Sequence, residues 1–156
     1  MLPSRMKTFQ YSSELWLARP IQEVFAFFSS ATNLETLTPP WLHFHVLTPE
    51  PIAMAVGTRI QYRLRLRGIP IRWESKITAW EPPHRFVDQQ VRGPYRLWYH
   101  EHTFFECAGR TCVRDQVTYA VTGGALINSL LVAPDVRRIF AFRTEKLHEL
   151  FPDALA

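Results

Sequence analysis

The chain is short of the residues that staple a protein or anchor it in a membrane. Its 156 residues hold two cysteines, Cys107 and Cys112, and six glycines. Two thiols are too few for a disulfide scaffold, which excludes the small cysteine-dense secreted folds. No stretch approaches the roughly 18 apolar residues that read as a membrane-spanning helix. The opening MLPSRMKTFQ lacks the apolar core of an export signal. Runs of five or six like charges, internal repeats, low-complexity tracts and linkers are also missing. These absences lead to the expectation of a cytoplasmic protein with reduced thiols. Its folded part is expected to be a single domain over 7–151, with flexible ends at 1–6 and 152–156.

What is abundant is ring surface. Hydrophobic residues make up 47% and charged residues 21%, but aromatics reach 13%, led by eleven Phe and five Trp. A bulky core or an aromatic-lined pocket would each account for that excess. The net charge of +4 and pI of about 9.4 raise the question of an anionic partner. The basic residues are dispersed along strand-like segments, with neither stacking aromatics among them nor a groove-entering helix. No nucleic-acid partner is therefore expected. Peripheral contact with an anionic membrane stays open.

TFQYSSELWL (8–17) reads as a strand and ARPIQEVFAFFSS as a helix. Pro20 suits its first turn, and Val24, Phe25 and Phe28 fall at helical spacing. NLETL reads as a second short helix ended by Pro39-Pro40. From Trp41 to Val121 strands and turns alternate.

Two hairpins can be registered from the pattern alone. With Gly68-Ile69 as a two-residue loop, Leu66 would face Ile71, Leu64 Trp73, Tyr62 Ser75 and Ile60 Ile77. One face is then apolar and the other charged, a half-solvated antiparallel pair. A turn at Ala108-Gly109 pairs Phe104 with Val113, His102 with Asp115, His100 with Val117 and Trp98 with Tyr119. Side chains alternate along a strand, so Trp98, His100, His102 and Phe104 share one face. The same alternation puts Tyr95, Leu97 and Tyr99 on the opposite, outer face. Cys107 and Cys112 come out diagonal, a poor disulfide geometry.

Gly124 to Phe151 reads as a long helix, kinked or restarted at Pro134. At about 100° per residue, Val136, Ile139, Phe140, Leu147 and Leu150 form one stripe, with Arg143 near its centre.

The segments NLETLTPPWLHF, GIPIRWESKITAWEPPHRFVDQQVRGPY, WYHEHTF, VRDQVTY and IFAFR resemble the SRPBCC superfamily, which includes START-like and polyketide cyclase/dehydrase-like proteins. The resemblance covers most of the chain. It implies an α+β architecture, the helix-grip fold: a curved antiparallel sheet of about six or seven strands wrapped around a long C-terminal helix, with two short helices after the first strand. It also implies a cavity between sheet and helix that holds a hydrophobic or amphipathic small molecule such as a lipid, quinone or polyketide-like ring. It brings no cofactor and no metal, and no catalytic residue transfers with it.

On that fold the ligand-binding wall is expected to comprise Tyr62, Leu64, Trp73, Trp98, His100, His102, Asp115, Tyr119, Ile139 and Arg143. An apolar pocket with a few convergent polar groups is the usual form of such a site. The histidines admit three readings. They could ligate a metal with Asp115 as third ligand, although His-x-His forces no further ligand by spacing. They could form an acid/base pair, with His102 oriented by Asp115 and assisted by Tyr62, in a cyclase or dehydrase-type enzyme. Or they could be hydrogen-bonded wall residues that polarise the pocket. Arg143 would either pair with a carboxylate such as Asp115 or anchor a ligand oxygen. Ligand binding without an assigned reaction is the leading expectation. A partner-binding domain using the outer face is the remaining alternative.

Overall fold

The computed structural model describes residues 5–153. The flexible ends expected at 1–6 and 152–156 lie, for residues 1–4 and 154–156, outside the described residues. Strand β1 (Phe9–Leu17) leads into helices α1 (Ile21–Phe28) and α2 (Asn33–Leu37) and a 3-10 turn at Pro40–Leu42. Strands β2 (His45–Val46), β3 (Arg59–Leu66), β4 (Ile69–Glu81), β5 (Arg85–Arg92), β6 (Leu97–Cys107) and β7 (Arg110–Ala120) follow. They form one antiparallel sheet in the order β1-β7-β6-β5-β4-β3-β2. A helical segment of 27 residues, Gly124 to Leu150, closes the chain. This is the expected helix-grip arrangement, with seven strands.

Each element forms for a local reason. Helix α1 starts at Pro20, whose fixed φ is −62° and whose missing N–H costs nothing at a helix start. Its buried face, Ile21, Val24, Phe25 and Phe28, packs with Phe86, Phe104, Val113 and Leu147. The β6–β7 register is the one read from the sequence, from Cys107 opposite Arg110 to Trp98 opposite Tyr119. Cys112 lies opposite Phe105, and both cysteines are free thiols.

The β3–β4 register differs from expectation by two residues. The turn is Arg67-Gly68, not Gly68-Ile69, so Leu64 faces Ile71 and Tyr62 faces Trp73. Both turn residues take positive φ, +50° and +79°, as a type I′ hairpin demands. Separation of apolar from charged faces fixes only the parity of a register. A two-residue change preserves it, which is why the pattern could not detect the error.

The last helix is interrupted. An α-helical turn, α3 (Gly124–Ile127), passes into a π segment at Asn128–Val132 before α4 (Ala133–Leu150). Pro134 has no N–H for the carbonyl four residues back, and a wider turn accommodates that gap. Within α4, Val136, Phe140 and Leu147 are buried as the stripe requires. Leu150 is not, at 41% exposure; Phe151 leaves the helix and packs edge-on against Phe27 in its place.

Candidate functional site

The concave face of the sheet, α1, α2 and α4 enclose a cavity of about 180 Å³. Most of its wall is apolar, including Phe28, Leu37, Ile60, Leu64, Ile77 and Phe140. Of the ten residues expected to line it, eight do: Tyr62, Leu64, Trp73, Trp98, His100, His102, Ile139 and Arg143. Asp115 and Tyr119 do not. Asp115 sits on β7 behind the histidines, while the Tyr119 hydroxyl donates to Asn128 Oδ1 at 2.9 Å in the π segment. Tyr95 corrects the expectation in the other direction. It precedes the start of β6, so strand alternation does not govern it, and its ring turns inward against Trp73, Trp98 and Tyr119.

Two polar groups interrupt the apolar wall. The first spans β3 and β4, where the Tyr62 and Ser75 hydroxyls bond to each other and the Trp73 indole N–H donates to Ser75 Oγ at 3.0 Å. Burial, then the nearby Asp88 charge, raises the Tyr62 pKa far above its ordinary value. The phenol is therefore a hydrogen-bond donor and not a base at neutral pH. The bond count leaves one hydrogen over. Ser75 Oγ accepts from Trp73, one of the two hydroxyls donates to the other, and the remaining O–H has no acceptor among the described residues.

The second group joins β5, β6, β7 and α4. His102 Nε2 lies 2.8 Å from Asp88 Oδ2, and His100 Nε2 lies 2.8 Å from Asp115 Oδ1. His102 Nδ1 is 2.9 Å from that same Asp115 oxygen, though off the line of a hydrogen bond. His100 Nδ1 is 3.7 Å from Asp88 Oδ2, and Arg143 Nη2 is 3.9 Å from Asp115 Oδ1. The two imidazoles overlap at 3.8 Å between centroids, and Phe86 stacks on His102 at 4.1 Å.

The charges follow from these contacts. Burial would raise the pKa of Asp115, but Arg143 and the two histidines outweigh it and hold the carboxyl well below its usual range. Asp88 behaves alike: burial is overcome by the His102 hydrogen bond and the His100 charge. For His102, burial is outweighed by Asp115 and Asp88, so its pKa rises. For His100, burial and the charge of His102 prevail and its pKa falls.

This arrangement bears on the expected acid/base pair. His102 is flanked by two carboxylates, Asp88 at Nε2 as well as the Asp115 expected to orient it. Asp88 lines the cavity although, like Ser75 and Tyr95, it was not among the residues expected there. Its signal was its spacing from Phe86: two residues apart on β5, they share the inward face.

With this geometry the family can be stated. The chain belongs to the polyketide cyclase / dehydrase and lipid transport family, which matches residues 17–142. No curated protein matches the chain. Among solved structures it is similar to the protein CV1439 from Chromobacterium violaceum, at 13% identity and TM-score 0.70 over 95% of this chain and 99% of that one. It is similar to the Zhui aromatase/cyclase from Streptomyces sp. R1128, at 13% identity and TM-score 0.69 over 90% and 92%. It also resembles a norcoclaurine synthase point mutant from Thalictrum flavum, solved with a transition-state analogue, at 13% identity and TM-score 0.67 over 94% and 98%. At such identities the likeness shows a shared fold alone.

Proposed function

We propose that this protein binds a small, ring-bearing organic molecule with at least one acceptor oxygen, quinone-like or polyketide-like, in the cavity between sheet and α4. The spare O–H of the Tyr62–Ser75 pair carries this reading. A buried donor without an acceptor costs about 1–3 kcal/mol, and a ligand carbonyl would remove that cost. Arg143, whose Nε has no hydrogen-bond partner among the described residues, adds N–H groups at the wall. The body of the ligand would be held by burial, worth about 25 cal/mol per Å² of apolar surface. Size favours a ring over a long acyl chain. A dry cavity of about 150 Å³ accommodates a benzene, and this one is about 180 Å³.

The test pairs α-tetralone, a fused ring with one ketone, with tetralin, the same skeleton without oxygen. Quenching of Trp73 and Trp98 fluorescence would follow both titrations. The ketone should bind several-fold more tightly, and Tyr62→Phe should shrink that difference. Native mass spectrometry of freshly purified protein, with solvent extraction, should show a near-stoichiometric ring compound. Protein that arrives empty and binds neither probe would sink the reading.

A further inference from the structure

We propose that Asp88, His100 and His102 form a binding site for one divalent transition-metal ion, that Asp115 positions both imidazoles, and that the open coordination positions face the cavity. This goes beyond ligand binding and does not rest on it.

The argument begins with which nitrogen faces which carboxylate. Asp88 lies directly opposite His100 in the β5–β6 register, and His102 is two residues along the same face. Each imidazole turns one nitrogen towards Asp115 and the other towards Asp88. On the Asp115 side, His100 Nε2 and His102 Nδ1 approach a single oxygen at 2.8 and 2.9 Å. On the Asp88 side, His100 Nδ1 and His102 Nε2 approach Oδ2 at 3.7 and 2.8 Å. For His100 that is the pattern of a carboxylate–histidine–metal relay: Asp115 holds Nε2 by a hydrogen bond, which leaves Nδ1 for the ion. His102 Nδ1 approaches the same oxygen off the hydrogen-bond line, and an ion would take the place of its present Nε2 contact with Asp88.

The spacing fits. Ligand bonds of about 2.0–2.2 Å in tetrahedral geometry put donor atoms about 3.4 Å apart. The two near-side separations bracket that value, and all three donor atoms lie within 4.8 Å of one another. Two neutral imidazoles and one carboxylate, with positions left open, suit Zn²⁺, Co²⁺ or Fe²⁺. All three residues line the cavity, so the ion would have a route in and its free positions would meet whatever the cavity holds. The third ligand is thus Asp88 on β5, not the Asp115 that the strand pairing suggested from sequence.

Chelator-treated, tag-free protein would be titrated with Zn²⁺ by calorimetry and with Co²⁺ by visible absorption. One ion per chain is expected. Affinity should fall at least 100-fold in Asp88→Asn and His100→Gln, and about 10–100-fold in Asp115→Asn, as loss of an outer partner usually costs. Absence of stoichiometric uptake would overturn the site. So would uptake indifferent to those substitutions, as exposed His43 and His45 would give. Should the variants misfold, nitrogen NMR of wild type with Zn²⁺ decides. His100 must ligate through Nδ1 and His102 through Nε2, and the opposite nitrogens must stay protonated. Any other pattern refutes the arrangement.

Discussion

Arg143 reaches from α4 towards the Asp115 carboxylate, which the fold has taken out of water. Its side chain is 12% exposed and that of Asp115 7%. Replacing one partner of such a pair strands the other, and the cost is that of an uncompensated buried charge. Arg143→Met, close in volume, should destabilise by about 3 kcal/mol. Asp115→Asn should cost a similar amount. The double variant should fall short of the sum by about 1–3 kcal/mol, because each single change already removes the shared interaction. Urea unfolding of the four proteins measures this directly, and strict additivity would mean the two side chains do not sense each other. The sequence showed all of this cluster but Asp88. His100, His102 and Asp115 came from one hairpin whose turn, Ala108-Gly109, is unambiguous. Asp88 arrives from β5, whose pairing with β6 runs through a longer connection (93–96) that the pattern does not register.

Elements were legible where a turn or a period fixes them, and less so where backbone bonding departs from the regular repeat. Helix α1, helix α2 and the β6–β7 hairpin are of the first kind. The second kind includes β4, whose pairing with β5 shifts between Glu74 and Ser75 and between Ile77 and Ala79. Those shifts let Trp73, Ser75, Ile77 and Trp80 all serve the interior, which strict alternation would forbid. The junction from β7 into α3 is another. Gly123 and Gly124 both take positive φ, +91° and +63°, where a side chain is strained. A Cβ on Gly123 would also stand 2.3 Å from Ile127 Cγ1. Gly123→Ala should therefore destabilise by about 1–3 kcal/mol. Gly124→Ala meets no neighbour within 4 Å and should cost less, from φ alone. Thermal unfolding of the two variants separates steric from conformational cost. Equal losses would argue that the Ile127 contact relaxes away.

At the scale of the whole molecule, the question is why the space under α4 is not filled. A void costs about 24 cal/mol per Å³ in a core, so 180 Å³ forgoes at most about 4 kcal/mol. Stabilities of whole domains run to only about 5–15 kcal/mol. Ala31 offers a way to weigh that cost against function. It is buried between α1 and α2, lines the cavity, and packs with Ile60, Tyr62 and Leu64. Ala31→Leu would project three more carbons into the open space. At about 0.8 kcal/mol per buried methylene the gain approaches 2 kcal/mol, less whatever strain the new side chain meets. In a chain of this size, 1 kcal/mol moves the midpoint by about 2–4 °C. The variant should therefore melt a few degrees higher and bind α-tetralone at least tenfold more weakly. Zn²⁺ uptake should survive, because Ala31 touches none of the three proposed ligands. If the midpoint fell while α-tetralone affinity held, the space beside Ala31 would be too small for a side chain, and the ring would have to lie elsewhere along the wall. A higher midpoint with weakened binding would show that this fold gives up core packing to keep room for a guest.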